Sequence, residues 1–254
     1  MKEQWRLLQT GLNNAYANMA IDRAILVANS KGVVPPTVRF YGWVPSAISI
    51  GYFQSLTEEI DLEACKKLGV DYVRRITGGG AVFHDKEVTC SMVISESHPE
   101  VPTNILKSYG RICGAVIKGL YHLGIESQYA PINDIITNGK KISGNAQTRK
   151  LGTVLQHGTI ILDVDVDTMF SVLKVPNEKI KDKLITDVKQ RVTSIKHCMG
   201  KEMSFSEVSL AMKHGFEEEF KIELVEGELC KEEHELAMKF EKECFSAKSW
   251  NQRR

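Results

Sequence analysis

The chain has 254 residues, 43% of them hydrophobic and 26% charged, with a formal net charge of +1. A chain of this length and composition can bury a core without disulfide or metal staples. The balance excludes a basic nucleic-acid-binding face and an acidic solvated tail. No apolar run nears the roughly 18 residues that a membrane span needs.

Taken in order, residues 4–9 read as a short strand. From Tyr16 the apolar residues Met19, Ala20, Ala24 and Val27 recur at helical spacing, and the helix ends before Gly32. Two β-rich runs follow, 37–43 and 46–52, with a turn at Pro45 between them. A short helix at 58–68 leads to a strand at 70–75, then to a glycine-rich turn, then to a strand ending in VTCSMVIS. The next helix carries Leu106, Tyr109, Cys113, Val116, Ile117 and Leu120 on one face and stops at Gly124. Asn138-Gly139 then marks a hairpin, since this pair accepts positive φ at both central positions of a type I′ turn. A long strand, TVLQHGTIILDV, pairs next. Beyond about residue 166 charged helical segments dominate, notably 204–220 and 231–245. Strands and helices come in runs, which predicts an α+β fold.

Three segments carry chemistry. Arg74-Arg75-Ile76-Thr77-Gly78-Gly79-Gly80-Ala81-Val82-Phe83-His84-Asp85 places three glycines between strands, where a ligand can lie against bare main chain beside arginine. On composition alone the same segment is equally a flexible hairpin with a solvated basic flank. It matches neither a phosphate-binding GxxxxGK[ST] loop nor a GxGxxG dinucleotide fingerprint. In Asn133-Asp134 and Gly139-Lys140-Lys141-Ile142-Ser143-Gly144-Asn145, strand alternation puts Lys141, Ser143 and Asn145 on one face, suited to an anion or to edge protection. His157, read alone, is a hydrogen-bonded core histidine. The six cysteines, at 65, 90, 113, 198, 230 and 244, form no CxxC pair and no zinc grouping. Without a leader-like start they read as free thiols of a reducing, cytoplasmic compartment.

Together the runs RRITGGGAVFHD, NDI, GKKISGNAQ and QHGTIIL, in that order, resemble the lipoate–protein ligase family, whose wider group includes biotin ligases and octanoyltransferases. The likeness extends to RFYGW, IGYFQ, LKVPNEKIKDK and FSAKSWN, so it covers nearly the whole chain. It implies a single catalytic domain over residues 1–254, with a β-rich core to about 165 and a helical portion from 166. The implied fold is a mixed or antiparallel sheet flanked by helices, biotin/lipoate ligase-like and related to class II synthetases. It further implies ATP at Arg75, Gly78, Gly79, Gly80, Ala81, Val82, Phe83, Asn133, Asp134 and Lys141, and lipoate at Arg75, Lys141 and His157. Asp134 is implied to help hold Mg²⁺, and Lys141 to be catalytic. In that chemistry a carboxylate meets the α-phosphate of ATP. Lys141 offsets the repulsion between the two anions, and a partner's lysine then attacks the acyl-adenylate, taking the acyl group and releasing AMP.

The resemblance makes the partners lipoyl-acceptor domains, those of 2-oxoacid dehydrogenase E2 subunits or the glycine-cleavage H protein. A separate small subunit is expected to replace the accessory domain that many such ligases carry after the FSAKSWN-like segment. ATP-dependent ligation of lipoate, or of octanoate, is the expected activity. The first alternative is octanoyl transfer through an enzyme cysteine, but the stretch from Glu126 to Asn138, where one related group keeps that residue, has none. Cys90 and Cys113 read as structural, and the triple glycine is intact. Biotin ligation is disfavoured by the missing GRGR-type loop, and a non-catalytic acyl or acceptor-domain binder is the remaining alternative.

Overall fold

The computed structural model describes residues 2–174 and 181–254. Residues 175–180, within the LKVPNEKIKDK run, lie outside the described residues. Eleven strands are described: β1 (Gln4–Asn13), β2 (Thr37–Trp43), β3 (Ala47–Ile50), β4 (Asp71–Arg74), β5 (Val82–His84), β6 (Glu87–Ser95), β7 (Gln128–Ala130), β8 (Asp134–Thr137), β9 (Lys140–Lys150), β10 (Thr153–Ile161) and β11 (Glu223–Glu226). The longer helices are α1 (Ala15–Ser30), α4 (Ile105–His122), α6 (Lys181–Arg191), α8 (Phe205–Phe220) and α9 (Lys231–Phe240). Shorter ones are α2 (Leu56–Glu59), α3 (Leu62–Leu68), α5 (Val166–Val172), α7 (Ile195–Met199) and α10 (Lys248–Asn251).

Eight strands form one mixed sheet in the order β11-β1-β2-β6-β10-β9-β8-β7, and β4-β3-β5 form a second, smaller sheet. The α+β class and the mixed sheet flanked by helices are as the sequence predicts. Local signals explain the boundaries. Asn14 caps α1 by accepting from the Ala17 amide at 2.8 Å, and Ser204 with Glu207 makes a capping box at the start of α8. The β8–β9 turn has φ of 49° at Asn138 and 75° at Gly139, the positive pair that the Asn-Gly signal demands.

Apolar burial then stacks the layers. On one face of the large sheet α4 and α8 bury Ile112, Val116, Met212 and Phe216 against Phe40, Cys90 and Met92. Each such side chain contributes roughly 1.5–3 kcal/mol. On the other face α1 is packed between the two sheets. Its Met19, Ile25 and Leu26 meet Tyr41 and Leu155 of the large sheet and Val73 of the small one. Among the described residues no helix is long and apolar enough to cross a membrane.

Two features of the C-terminal portion went unread in the sequence. Strand β11 pairs in parallel with β1 and completes the edge of the large sheet. Its four residues, between two long helices, are too short to show a period of two. The FSAKSWN segment clamps β4. Asn251 Oδ1 accepts from the Arg74 amide at 2.7 Å, and Trp250 Nε1 donates to the Arg74 carbonyl at 2.8 Å. The Arg74 guanidinium is spent on the carbonyls of Gly51, Tyr52, Gln54, Trp250 and Asn251, so this arginine props the turn from behind.

Candidate active site

A cleft of about 150 Å³ opens where the small sheet faces β9 and β10. Arg75, Gly79, Gly80, Ala81, Val82, Asn133, Lys141 and His157 all line it, so the glycine turn and the lysine strand meet in one place. Met19, Tyr41 and Trp43 add apolar walls. Three predicted residues stand elsewhere. Phe83 points to the far side of the small sheet, among Ile48 and Leu56. The Gly78 carbonyl receives Arg75, and Asp134 stands behind Lys141.

Arg75 is the organiser of the turn. Its Nε donates to Thr77 Oγ1 at 3.1 Å, Nη1 to the carbonyl and hydroxyl of Ser49, and Nη2 to the carbonyls of Gly78 and Gly80, both at 2.8 Å. A guanidinium has five N–H bonds, and five are used within the protein. Only 4% exposed, the group has its pKa pushed down by burial to about 10. In this structure Arg75 holds the main chain of the turn in shape while lining the cleft expected to receive the anion. Gly79 has φ +99°, and its carbonyl lies where a side chain on Gly51 would be, 2.0 Å from the position of that Cβ. Both positions demand glycine. Among the described residues the amides of Gly79 and Gly80 find no protein acceptor.

Across the cleft Lys141 Nζ pairs with Asp134 Oδ1 at 2.8 Å, with both side chains more than a third exposed. A Cβ on Gly144 would sit 2.7 Å from Lys141 Cε and Nζ, so this glycine leaves room for the ammonium to lie along the strand. A register shift between Ile135 and Ile136 bulges β9, breaking the expected alternation. Ser143 is fully buried, while Lys141, Gly144, Asn145 and Ala146 reach the cleft. Asn133 is clipped to β9 by bonds exchanged with Asn145. Asp134 is engaged by Lys141, and among the described residues no three His, Cys, Asp or Glu side chains gather to hold a metal. Asp134 alone would leave a Mg²⁺ to take its remaining ligands from substrate phosphates and water.

Below the cleft runs a buried polar network. Asp22, fully buried in α1, accepts from Arg39 at 2.8 Å, Ser91 at 2.9 Å, Tyr41 at 3.0 Å and His157 Nδ1 at 3.1 Å. Burial works against its charge, but Arg39 and the hydrogen bonds outweigh it and hold the carboxyl below its ordinary value. Burial likewise pushes the His157 imidazole below its ordinary value, against the pull of Asp22. Neutral His157 thus carries its proton on Nδ1 toward Asp22, and Nε2 accepts from Thr77 Oγ1 at 2.8 Å. A second chain runs parallel to the first. Ser49 Oγ lies 2.7 Å from His84 Nε2, and His84 Nδ1 lies 2.8 Å from Glu87 Oε1. Trp43 stacks on the His84 ring at 4.0 Å.

Of these residues sequence reasoning singled out only His157. Asp22 and Arg39 carried a faint signal as charges on otherwise apolar faces. The six cysteines are free thiols, and none lines the cleft. Burial pushes Cys90 and Cys113 up to about 12, far from a reactive thiolate.

Comparison with known proteins identifies the family and corrects the activity. Residues 14–217 match the model of the lipoyl protein ligase A/B catalytic domain. Curated relatives that align over nearly their whole length are octanoyltransferases named LipM. That of Kyrpidia tusciae is 39% identical, over 99% of this chain and 100% of its own. That of Bacillus subtilis is 34% identical, over 100% and 99% respectively. Among solved structures, a bi-partite lipoate protein ligase of Thermoplasma acidophilum superposes with a TM-score of 0.90, at 32% identity and over 98% of this chain and 96% of that one. A lipoate-protein ligase A bound with ATP gives 0.84, at 30% identity and 99% of both chains. The octanoyltransferase relatives overturn the expectation of ATP-dependent lipoate ligation. The motifs behind that expectation build a lysine-bearing cleft and do not by themselves specify how an acyl group would be activated. The chain is an enzyme of the lipoylation system and belongs to the lipoyl protein ligase A/B catalytic domain family.

Proposed function

We propose that this protein transfers a medium-chain acyl group, octanoyl foremost, from an activated thioester to a lysine of a lipoyl-acceptor domain. The observation that carries the reading is the meeting, in one apolar-walled cleft, of the Lys141 ammonium with a glycine turn that offers main-chain amides. The full-length likeness to octanoyltransferases supports it.

In this reading the acyl chain lies along Met19, Tyr41 and Trp43. The carbonyl oxygen faces Lys141 and the amides of Gly79 and Gly80, which stabilise negative charge as the carbon becomes tetrahedral. Asp134 orients the ammonium, and Asn133 and Asn145 fix the hairpin that carries it. The donor arrives activated, so the reading needs neither ATP nor Mg²⁺ nor an accessory subunit. Acceptor domains of 2-oxoacid dehydrogenase E2 subunits or the H protein remain the partners it names. The test is to incubate the protein with an octanoyl thioester and a lipoyl domain, without nucleotide, and to read the intact mass of the acceptor. One octanoyl group on one lysine is expected. An unmodified acceptor contradicts the reading.

A further inference from the structure

We propose that Ser49 is the acyl-accepting nucleophile of this cleft, activated by His84 and Glu87. The inference rests on the transfer reading above and answers a question that reading leaves open. Transfer through an enzyme-bound acyl group needs a nucleophile in the cleft, and no thiol lines it. Ser49 does line it, as do His84 and the Trp43 ring stacked upon it.

The hydrogen-bond directions are fixed by the neighbours. The Glu87 carboxylate can only accept, which places a proton on His84 Nδ1, 2.8 Å from Glu87 Oε1. This leaves Nε2 to accept from the Ser49 hydroxyl at 2.7 Å, while Arg75 Nη1 donates to Ser49 Oγ at 3.1 Å. Glu87 Oε1 is held in turn by Trp43 Nε1 at 3.0 Å and Thr89 Oγ1 at 2.5 Å. A hydroxyl, an imidazole and a fixed carboxylate in this order form the hydrogen-bonded relay of nucleophilic acyl transfer, recognised by geometry and not by sequence position. The Arg75 contact adds a positive charge beside the oxygen that becomes anionic. The same guanidinium holds the Gly80 carbonyl, so Ser49 and the glycine turn share one anchor.

The chemistry balances. Ser49 Oγ gives its proton to His84 Nε2 and bonds to the thioester carbon. The C–S bond breaks, and the leaving thiolate takes the proton from His84. A neutral acceptor lysine then attacks the ester carbon and gives a proton to His84. The C–Oγ bond breaks, and Ser49 recovers its proton, leaving an amide.

The experiment is a single-turnover reaction with an octanoyl thioester, acceptor withheld, followed by peptide mapping of the enzyme. A parallel arm treats the wild-type protein with a fluorophosphonate bearing an octyl chain, which needs no variant to fold. An octanoyl ester and a phosphonyl label on Ser49 are expected, with both lost in Ser49→Ala. Acceptor transfer by Ser49→Ala is expected to fall at least about 10³-fold, and circular dichroism should show a retained fold. An adduct on another residue, or acceptor modification at the wild-type rate by Ser49→Ala, overturns the assignment of Ser49 while octanoyl transfer stands. A wild-type protein that never modifies the acceptor overturns both.

Discussion

Two imidazoles flank the cleft, each between a hydroxyl and a carboxylate, and they are built for opposite ends. His157 lies between Thr77 and Asp22, and His84 between Ser49 and Glu87, with comparable distances. Thr77 is fully buried and off the cleft wall, with its hydroxyl oxygen occupied by Arg75, so its chain ends in structure. Ser49, itself only 1% exposed, is on the wall, so its chain ends at the cleft. The carboxylates differ too. Asp22 faces Arg39, two fully buried charges, whereas Glu87 is satisfied by neutral donors and an imidazole. Similar parts thus serve as a strut in one chain and as a relay in the other.

The largest expected effect breaks the strut. Asp22→Ala leaves the Arg39 charge buried and unpaired, which should cost about 3–5 kcal/mol of stability. Urea unfolding measures it, and a loss below about 1 kcal/mol would mean that Asp22 anchors nothing.

The β9 wall of the cleft is probed by Lys141→Ala. It should lower acyl transfer roughly 10²–10³-fold, the scale of losing one donor to a developing oxyanion. The melting temperature should stay unchanged, because the side chain is partly exposed. A full-rate variant removes Lys141 from the site.

Gly144→Ala is subtler. The new methyl meets the far end of the Lys141 side chain, which can move, so the fold should hold while the ammonium is displaced. Transfer should fall up to about 100-fold, as for a misplacement of about 1 Å. Equal rates for Gly144→Ala and wild type would show that the position of the ammonium is unimportant.

The smallest effect is a pH slope that separates the two histidines. The folded state holds His157 below its ordinary 6.5, so the unfolded chain binds the extra proton. Its stabilising effect is complete above 6.5 and is lost as pH falls below that value, by at most about 1.4 kcal/mol per pH unit. His157→Gln should flatten the urea midpoint between pH 7 and 5. Loss from Asp22 begins only below its ordinary 3.8 and does not intrude. An unchanged slope assigns the titration elsewhere.

What the sequence disclosed follows from how each feature is encoded. Local signals were legible: Asn138-Gly139 marked a hairpin, Gly32 closed α1, and the apolar stripe of α4 named its buried face at Cys113, Val116 and Leu120 but not at Leu106, which is exposed. The convergence of the glycine turn and Lys141 was legible through the motif resemblance and holds in the fold. The polar chains were not. Ser49 and His84 are 35 residues apart, and Asp22 and His157 are 135 apart, so only sheet register brings them together. The bulge in β9 was equally hidden, because alternation read from sequence assumes an unbroken pleat. The activity was misread because a lysine facing a glycine turn would suit any acyl carbonyl, whatever its leaving group, so the motifs do not name the donor.

The most direct test compares initial rates of lipoyl-domain modification from two donors under otherwise identical conditions, octanoyl thioester alone and free octanoate with MgATP. Octanoyl transfer predicts rapid modification from the thioester, indifferent to nucleotide, and none from the free acid. Modification that requires ATP, with the thioester inert, would contradict it.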